Sequence, residues 1–101
     1  MSIEITARHI KISEALQAFA RGKAERLVAE FPKIEFVHVV LDEQRHQYRA
    51  EFIVQHKGVA QVESCEICDD MTAAIDLACE KVEKQLRKHR EKVVATHHQR
   101  A

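Results

Sequence analysis

The sequence predicts an α+β domain of order βαβββα, with a four-stranded sheet and two helices packed side by side on one of its faces. Three observations predict it. Short segments beginning at Ile3, Ile34 and Tyr48 alternate or enrich apolar and β-branched residues as half-buried strands do. Two longer stretches, one ahead of Pro32 and one after Asp70, carry apolar residues at helical spacing behind capping residues. Only two Gly and one Pro occur in 101 residues, so little of the chain is left for loops.

Taken in order, Ile3-Glu4-Ile5-Thr6-Ala7 reads as the first strand. Ser13 offers an N-cap hydroxyl, and Glu14 sits in the first turn, where the helix dipole favours negative charge. Leu16, Phe19, Ala20, Lys23, Leu27 and Phe31 then recur at helical spacing until Pro32 stops the run. Gly22 in that helix costs about 1 kcal/mol relative to Ala, which points either to a close backbone approach or to a tolerated defect. In Ile34 to Leu41, Val37, Val39 and Leu41 share one face and Phe36, His38 and Val40 the other. A polar connection from Asp42 to Gln47 leads into Tyr48–His56, with Ala50, Phe52 and Val54 on the core face. Lys57-Gly58 is a turn. In the next run, Val59 to Ile67, Ala60 and Val62 share a parity opposite to that of Cys65 and Ile67, so a bulge near Glu63-Ser64 is expected. Asp69 or Asp70 caps a final helix with the stripe Met71, Ile75, Ala78, Val82, Leu86 and Val93, and the tail beyond Val94 is expected to fray. Residues 1–95 thus form one domain and 96–101 a flexible tail.

The strand–helix–strand start requires a right-handed crossover, which sets the first helix on one face of the sheet. The second helix covers the same face, so Lys23 and Arg26 come near Lys81, Lys84 and Lys88.

Composition bounds the function. An apolar fraction of 46% with 32% charged residues is that of a globular protein. No apolar stretch approaches the length needed to cross a bilayer, and no signal sequence opens the chain, which predicts a cytoplasmic location. Formal net charge is zero, but its distribution is not even. Lys33 to Asp70 holds eight acids against four bases, whereas Lys81 to Lys92 holds six bases against two acids. Glu80–Lys84 and Glu83–Arg87 pairs would be ordinary decoration of a solvated helix. The excess is not, because no acid follows Glu83 until Glu91. Bases at 81, 84, 88 and 92, with Arg87 and Arg90 on the flank, suit phosphates along a folded RNA, which is read mainly by shape and backbone. Aromatic residues are too few for a base-stacking platform.

Other chemistries find little support. Cys65-x-x-Cys68 is one close pair where structural zinc usually needs two, and Cys79 falls where a small half-buried hydrophobe is expected, so no metal and no cofactor is expected. The odd cysteine set also argues against a disulfide framework. There is no Gly-rich phosphate loop, nucleophile elbow or H-E-x-x-H, and Asp69-Asp70 read as helix caps, so no catalytic residue and no enzyme is expected.

The words Ile12-Ser13-Glu14-Ala15-Leu16, Val37-x-Val39-Val40-Leu41, Asp70-Met71-x-Ala73-Ala74-Ile75-Asp76 and Lys81-x-x-Lys84-Gln85-Leu86-x-Lys88-His89 resemble, in order and spacing, the ribosome hibernation promoting factor family. That family is also called the ribosome-associated inhibitor or sigma-54 modulation family. The resemblance spans Ile3 to about Val93 and is that of the short form; Thr72 departs from it, standing where an aromatic is usual. It implies a βαβββα domain similar to a double-stranded-RNA-binding fold. It also implies binding to the ribosomal RNA of the small subunit, in free subunits and assembled ribosomes, at the decoding region. There the factor would occlude messenger and transfer RNA sites and inhibit translation in stationary or stressed cells, with no membrane and no small-molecule substrate involved. The family's basic positions fall on Lys23, Arg26, Lys81, Lys84 and Lys88, to which the charge pattern adds Arg8, Arg87, Arg90 and Lys92 as RNA-binding residues. The alternative is a general structured-RNA-binding module not specific to the ribosome, and behind it a redox- or metal-responsive protein built on Cys65 and Cys68.

Overall fold

A computed structural model of the chain describes residues 2–58 and 61–100, with side chains as far as His89. The elements are β1 (Ser2–Arg8), α1 (Glu14–Glu30), β2 (Ile34–Gln44), β3 (Gln47–His56), β4 (Val62–Cys68) and α2 (Met71–Arg100). They form one four-stranded sheet of order β1-β2-β3-β4. β1 runs parallel to β2, and the remaining neighbours are antiparallel. The α+β order βαβββα expected from the sequence is the order found.

Local chemistry starts and stops the helices. The Ser13 hydroxyl accepts the Leu16 N–H at 3.1 Å, and the Asp70 carboxylate accepts the Ala73 N–H at 3.0 Å, so each helix opens on a side chain that satisfies an orphan donor. Phe31 closes α1 through its N–H to the Leu27 carbonyl, immediately before Pro32. α1 packs against β1 and β2 while α2 packs against β3 and β4, both on one face. Between them and the sheet, Phe52, Leu41, Ile75, Val37, Val39, Val54 and Val82 lose essentially all contact with water. Burying side chains of this size is worth about 1.5–3 kcal/mol each, and this layer holds the two helices at a fixed spacing.

Three expectations need correction or settling. The ladder from Tyr48↔Cys68 to Val54↔Val62 is unbroken, so there is no bulge at Glu63-Ser64. Ser64 faces the helices, buried, with its hydroxyl donating to the Ala78 carbonyl at 2.6 Å, while Ile67 faces outward and is 56% exposed. Hydrophobicity misreported the core face there because a helix carbonyl satisfies the buried hydroxyl. The register shift among the described strands lies instead between Ile34 and Phe36 in β2. The connection from Asp42 to Gln47 shrinks to Arg45-His46, since Gln44 already pairs with Gln47. A Cβ built on Gly22 meets nothing within 4 Å, which leaves the tolerated defect and removes the close approach. The described backbone of α2 is helical as far as Arg100. Val59, Ala60 and the side chain of Val93 lie outside the described residues.

Candidate nucleic-acid interface

Each helix contributes its bases from the flank of its buried stripe. On α1 the core-facing positions are Ala20, Ala24 and Leu27, so Lys23 and Arg26, adjacent around the helix, stand toward α2. On α2 the stripe Met71, Ile75, Ala78, Val82 and Leu86 is buried throughout, which turns Glu80, Glu83, Lys84 and Arg87 toward α1. The two sets meet in a groove lined by Lys23, Arg26, Asp76, Cys79, Glu80, Glu83, Lys84 and Arg87. Lys88 is exposed one turn further along α2. Of the expected meeting of Lys23 and Arg26 with Lys81, Lys84 and Lys88, the groove holds Lys84, Lys88 stands beyond its lining, and Lys81 does not join it.

The groove is not uniformly basic. Lys23 Nζ lies 2.6 Å from Asp76 Oδ1 and sits 5.2 Å from the centre of the Phe19 ring. Arg87 pairs with Glu83 one turn earlier on α2 and reaches Glu30 of α1 at 3.6 Å. Lys81 leans the other way, toward Glu66 of β4 at 3.4 Å. Beside it, Gln85 donates to the Glu63 carbonyl at 2.9 Å, so this flank of α2 covers the outer edge of β4 rather than the groove. Among the described residues, Arg26, Lys84 and Lys88 form no ion pair. Of the bases expected around this groove, these three have charge available to a polyanion at no cost of breaking a bridge.

At the floor of the groove Cys79 is buried, and burial, followed by the charge of Glu83, pushes its thiol up to about 11 against the lowering effect of Lys23 and Arg26. It is inert at neutral pH. Cys65 and Cys68 are three apart on a strand and so face opposite sides of the sheet, which keeps them from converging on one ion; no group of metal-ligating side chains occurs among the described residues.

Arg8 stands apart from the helices. It ends β1 in the row Arg8–Asp42–Arg49, on the sheet face that no helix covers. The side chains of Arg90 and Lys92 lie outside the described residues. The carboxylates that tie down Lys23, Lys81 and Arg87 were missed from sequence except for Glu83, whose spacing from Arg87 is helical. Asp76 and Glu66 become partners only through tertiary contact.

Residues 3–94 match the family model described as sigma 54 modulation protein / S30EA ribosomal protein. The chain belongs to this family. Among its relatives, the ribosome hibernation promoting factor of Pseudomonas putida is 33% identical over 92 residues, covering 91% of this chain and 89% of the relative. The protein of the same name from Escherichia coli K12 is 31% identical over 93 residues, covering 92% and 97%. A solved ribosomal subunit interface protein from Coxiella burnetii superposes with a TM-score of 0.82 at 25% identity, over 90% of this chain and 99% of that one. The N-terminal domain of Thermus thermophilus Protein Y superposes with a TM-score of 0.77 at 30% identity, over 88% and 99%. The match to the family thus covers both helices of the groove as far as residue 94, and the shared fold is the one that sets α1 beside α2.

Proposed function

We propose that this protein is a ribosome hibernation factor that binds the small ribosomal subunit at the decoding region through ribosomal RNA. Occupying the messenger and transfer RNA sites there, it holds idle or stressed ribosomes inactive in the cytoplasm. The observation that carries the reading is the groove between α1 and α2: Arg26, Lys84 and Lys88 without carboxylate partners among the described residues, on the fold shared with subunit interface proteins. Names of relatives at 31–33% identity supply the ribosome and hibernation; the groove supplies the contact with RNA. Rigid bases one helical turn apart neutralise phosphates and release counterions, which makes affinity fall with salt. The role is steric and electrostatic rather than catalytic. No helix among the described residues is long and apolar enough to cross a membrane.

Sedimentation of stationary-phase lysate tests the partner. The protein is expected with small subunits and assembled ribosomes, and its absence from both overturns the reading. Added to an in vitro translation reaction, it is expected to inhibit, and a high-salt wash of the ribosomes is expected to restore synthesis. Lys84→Glu with Lys88→Glu is expected to leave stability within about 0.5 kcal/mol of wild type. Two charge-assisted contacts, at about 1.5–3 kcal/mol each, amount to a loss of affinity on the order of 100-fold or more. Unchanged affinity would show that RNA does not use this groove.

A further inference from the structure

All three non-glycine residues with left-handed backbone among those described lie at one end of the sheet: His9 (φ 57°), Arg45 (φ 51°) and His46 (φ 65°). Arg45 and His46 are the whole connection between β2 and β3, a two-residue turn with positive φ at both positions. Such a turn favours Asn-Gly, because a side chain with a Cβ is strained there. Strain of this kind, kept where a cheaper residue pair is available, is a reason to ask what the side chains do. Both are exposed.

The neighbours give the answer its chemistry. Arg8 and Arg49 flank Asp42 on the uncovered sheet face, one row below the Gln44–Gln47 pair that carries the turn. Asp42 is buried, accepting from His9 Nδ1 at 3.0 Å and from the Glu43 N–H at 2.8 Å. Arg49 is held by a bond from Nε to Cys65 Sγ at 3.0 Å. None of Arg8, Arg45 and Arg49 forms an ion pair among the described residues. Glu43, opposite Tyr48, faces the helix-covered side, and Glu51 lies one row further down beside Arg49. Three guanidinium groups that form no ion pair among the described residues therefore stand at this end, Arg8 and Arg49 on either side of the Asp42 carboxylate and Arg45 in the turn.

We propose that this hairpin end is a second RNA-binding surface, taking the phosphate backbone of a segment other than the one met by the α1–α2 groove. Guanidinium groups match phosphate oxygens two at a time, and a rigid two-stranded ladder holds them at fixed spacing. The groove and the hairpin end lie on opposite faces of one sheet, so the protein bridges two RNA elements. Each contact raises the effective concentration of the other. The proposal rests on the ribosomal reading above and extends it.

The test measures binding of the full chain to purified small subunits across a salt series. Arg8→Glu with Arg45→Glu leaves the Arg49–Cys65 bond in place and is expected to weaken binding at least about 10-fold, with a salt slope flatter by about 1.5 for two lost phosphates. Arg45→Asn with His46→Gly keeps the turn type, so it is expected to raise the thermal midpoint and still weaken binding. A photocrosslinking residue at position 46 is expected to capture ribosomal RNA. Wild-type affinity in both double variants, or capture of ribosomal protein alone, overturns the proposal. If wild type binds no small subunits, it is the ribosomal reading that falls. The same variants are then compared on a folded, duplex-containing RNA, where equal affinity overturns the hairpin surface as well.

Discussion

The α1–α2 groove and the hairpin end are both cationic, and each is built around one buried titratable group in the opposite charge state. In the groove that group is the Cys79 thiol, kept neutral because burial and Glu83 outweigh Lys23 and Arg26. At the hairpin end it is the Asp42 carboxyl, kept ionised because His9 and the Glu43 N–H bond it. The consequence for the surrounding bases differs. A neutral floor gathers no cations, so the groove's bases are spaced by packing, and half of them are tied to carboxylates on neighbouring elements. A charged carboxylate at the hairpin end takes a bond from His9 and stands between Arg8 and Arg49 in one row, while Arg49 is bonded to Cys65 and feels Glu51 from the next row. The groove is thus a surface supported by the core whose bases are half tied to carboxylates; the hairpin end is a smaller one whose arginines form no ion pair among the described residues and surround a single hydrogen-bonded anion.

Opposite ends of the pH scale therefore separate the two regions, with the larger effect on the alkaline side. The folded-state value of Cys79 is raised from 9.0 to about 11. A raised thiol favours the folded state while neutral, so stability is present below pH 9 and lost as pH climbs toward 11. Each unit corresponds to about 1.4 kcal/mol, so the loss is on the order of 2 kcal/mol. Urea unfolding from pH 8 to 11 is expected to show this fall in wild type and a shallower one in Cys79→Ala. Parallel curves would mean that the thiol is not held neutral by the fold.

The two regions were also unequally legible in the sequence. Helix spacing, the caps at Ser13 and Asp70 and the handedness of the crossover were enough to bring Lys23 and Arg26 to Lys84, because each of those signals is local and the crossover rule is general. The hairpin end was invisible for two reasons. Its turn carries Arg45-His46 where the recognisable signal is Asn-Gly, so six polar residues read as a loop and the rows beyond it were not aligned. Arg8 is remote in sequence from Arg45 and Arg49, and only the register of β1 on β2 and β2 on β3 joins them. Ser64 and Ile67 show the same limit in the core. Strand alternation identifies a buried face by apolarity, and it fails where a hydroxyl is satisfied by a helix carbonyl and an isoleucine is left outside.

Backbone conformation draws a second line between the regions, with a smaller expected effect. α1 carries Gly22 in open space, where a Cβ would touch nothing. Gly22→Ala is expected to stabilise the protein by about 0.5–1 kcal/mol in urea unfolding, since Ala loses less entropy in a helix. Its affinity for small subunits is expected to stay at the wild-type level, in contrast to the Asn-Gly turn, which should gain stability and lose binding. A drop in affinity with Gly22→Ala would place an RNA contact against the α1 backbone and blur the distinction.

The smallest expected effect lies on the acid side, because His9, which holds Asp42, is 68% exposed and the bond is open to solvent and salt. The hydrogen bond from His9 is the main force holding the Asp42 carboxyl below its ordinary 3.8, with the Glu43 N–H and the charges of His9 and Arg8 adding to it and burial opposing. A depressed carboxyl stabilises the fold while ionised. That stability is present above the unfolded value and is lost as pH falls through the lower folded one. Asp42→Asn keeps the shape and removes the charge, so it is expected to destabilise most above pH 4 and progressively less as acid protonates the wild-type carboxyl. The same variant is expected to loosen Arg8 and Arg49 and to weaken RNA binding at neutral pH, while Cys79→Ala leaves binding intact. A destabilisation that does not vary between pH 5 and 2 would show that Asp42 serves as packing rather than as the anion on which this end of the sheet is assembled.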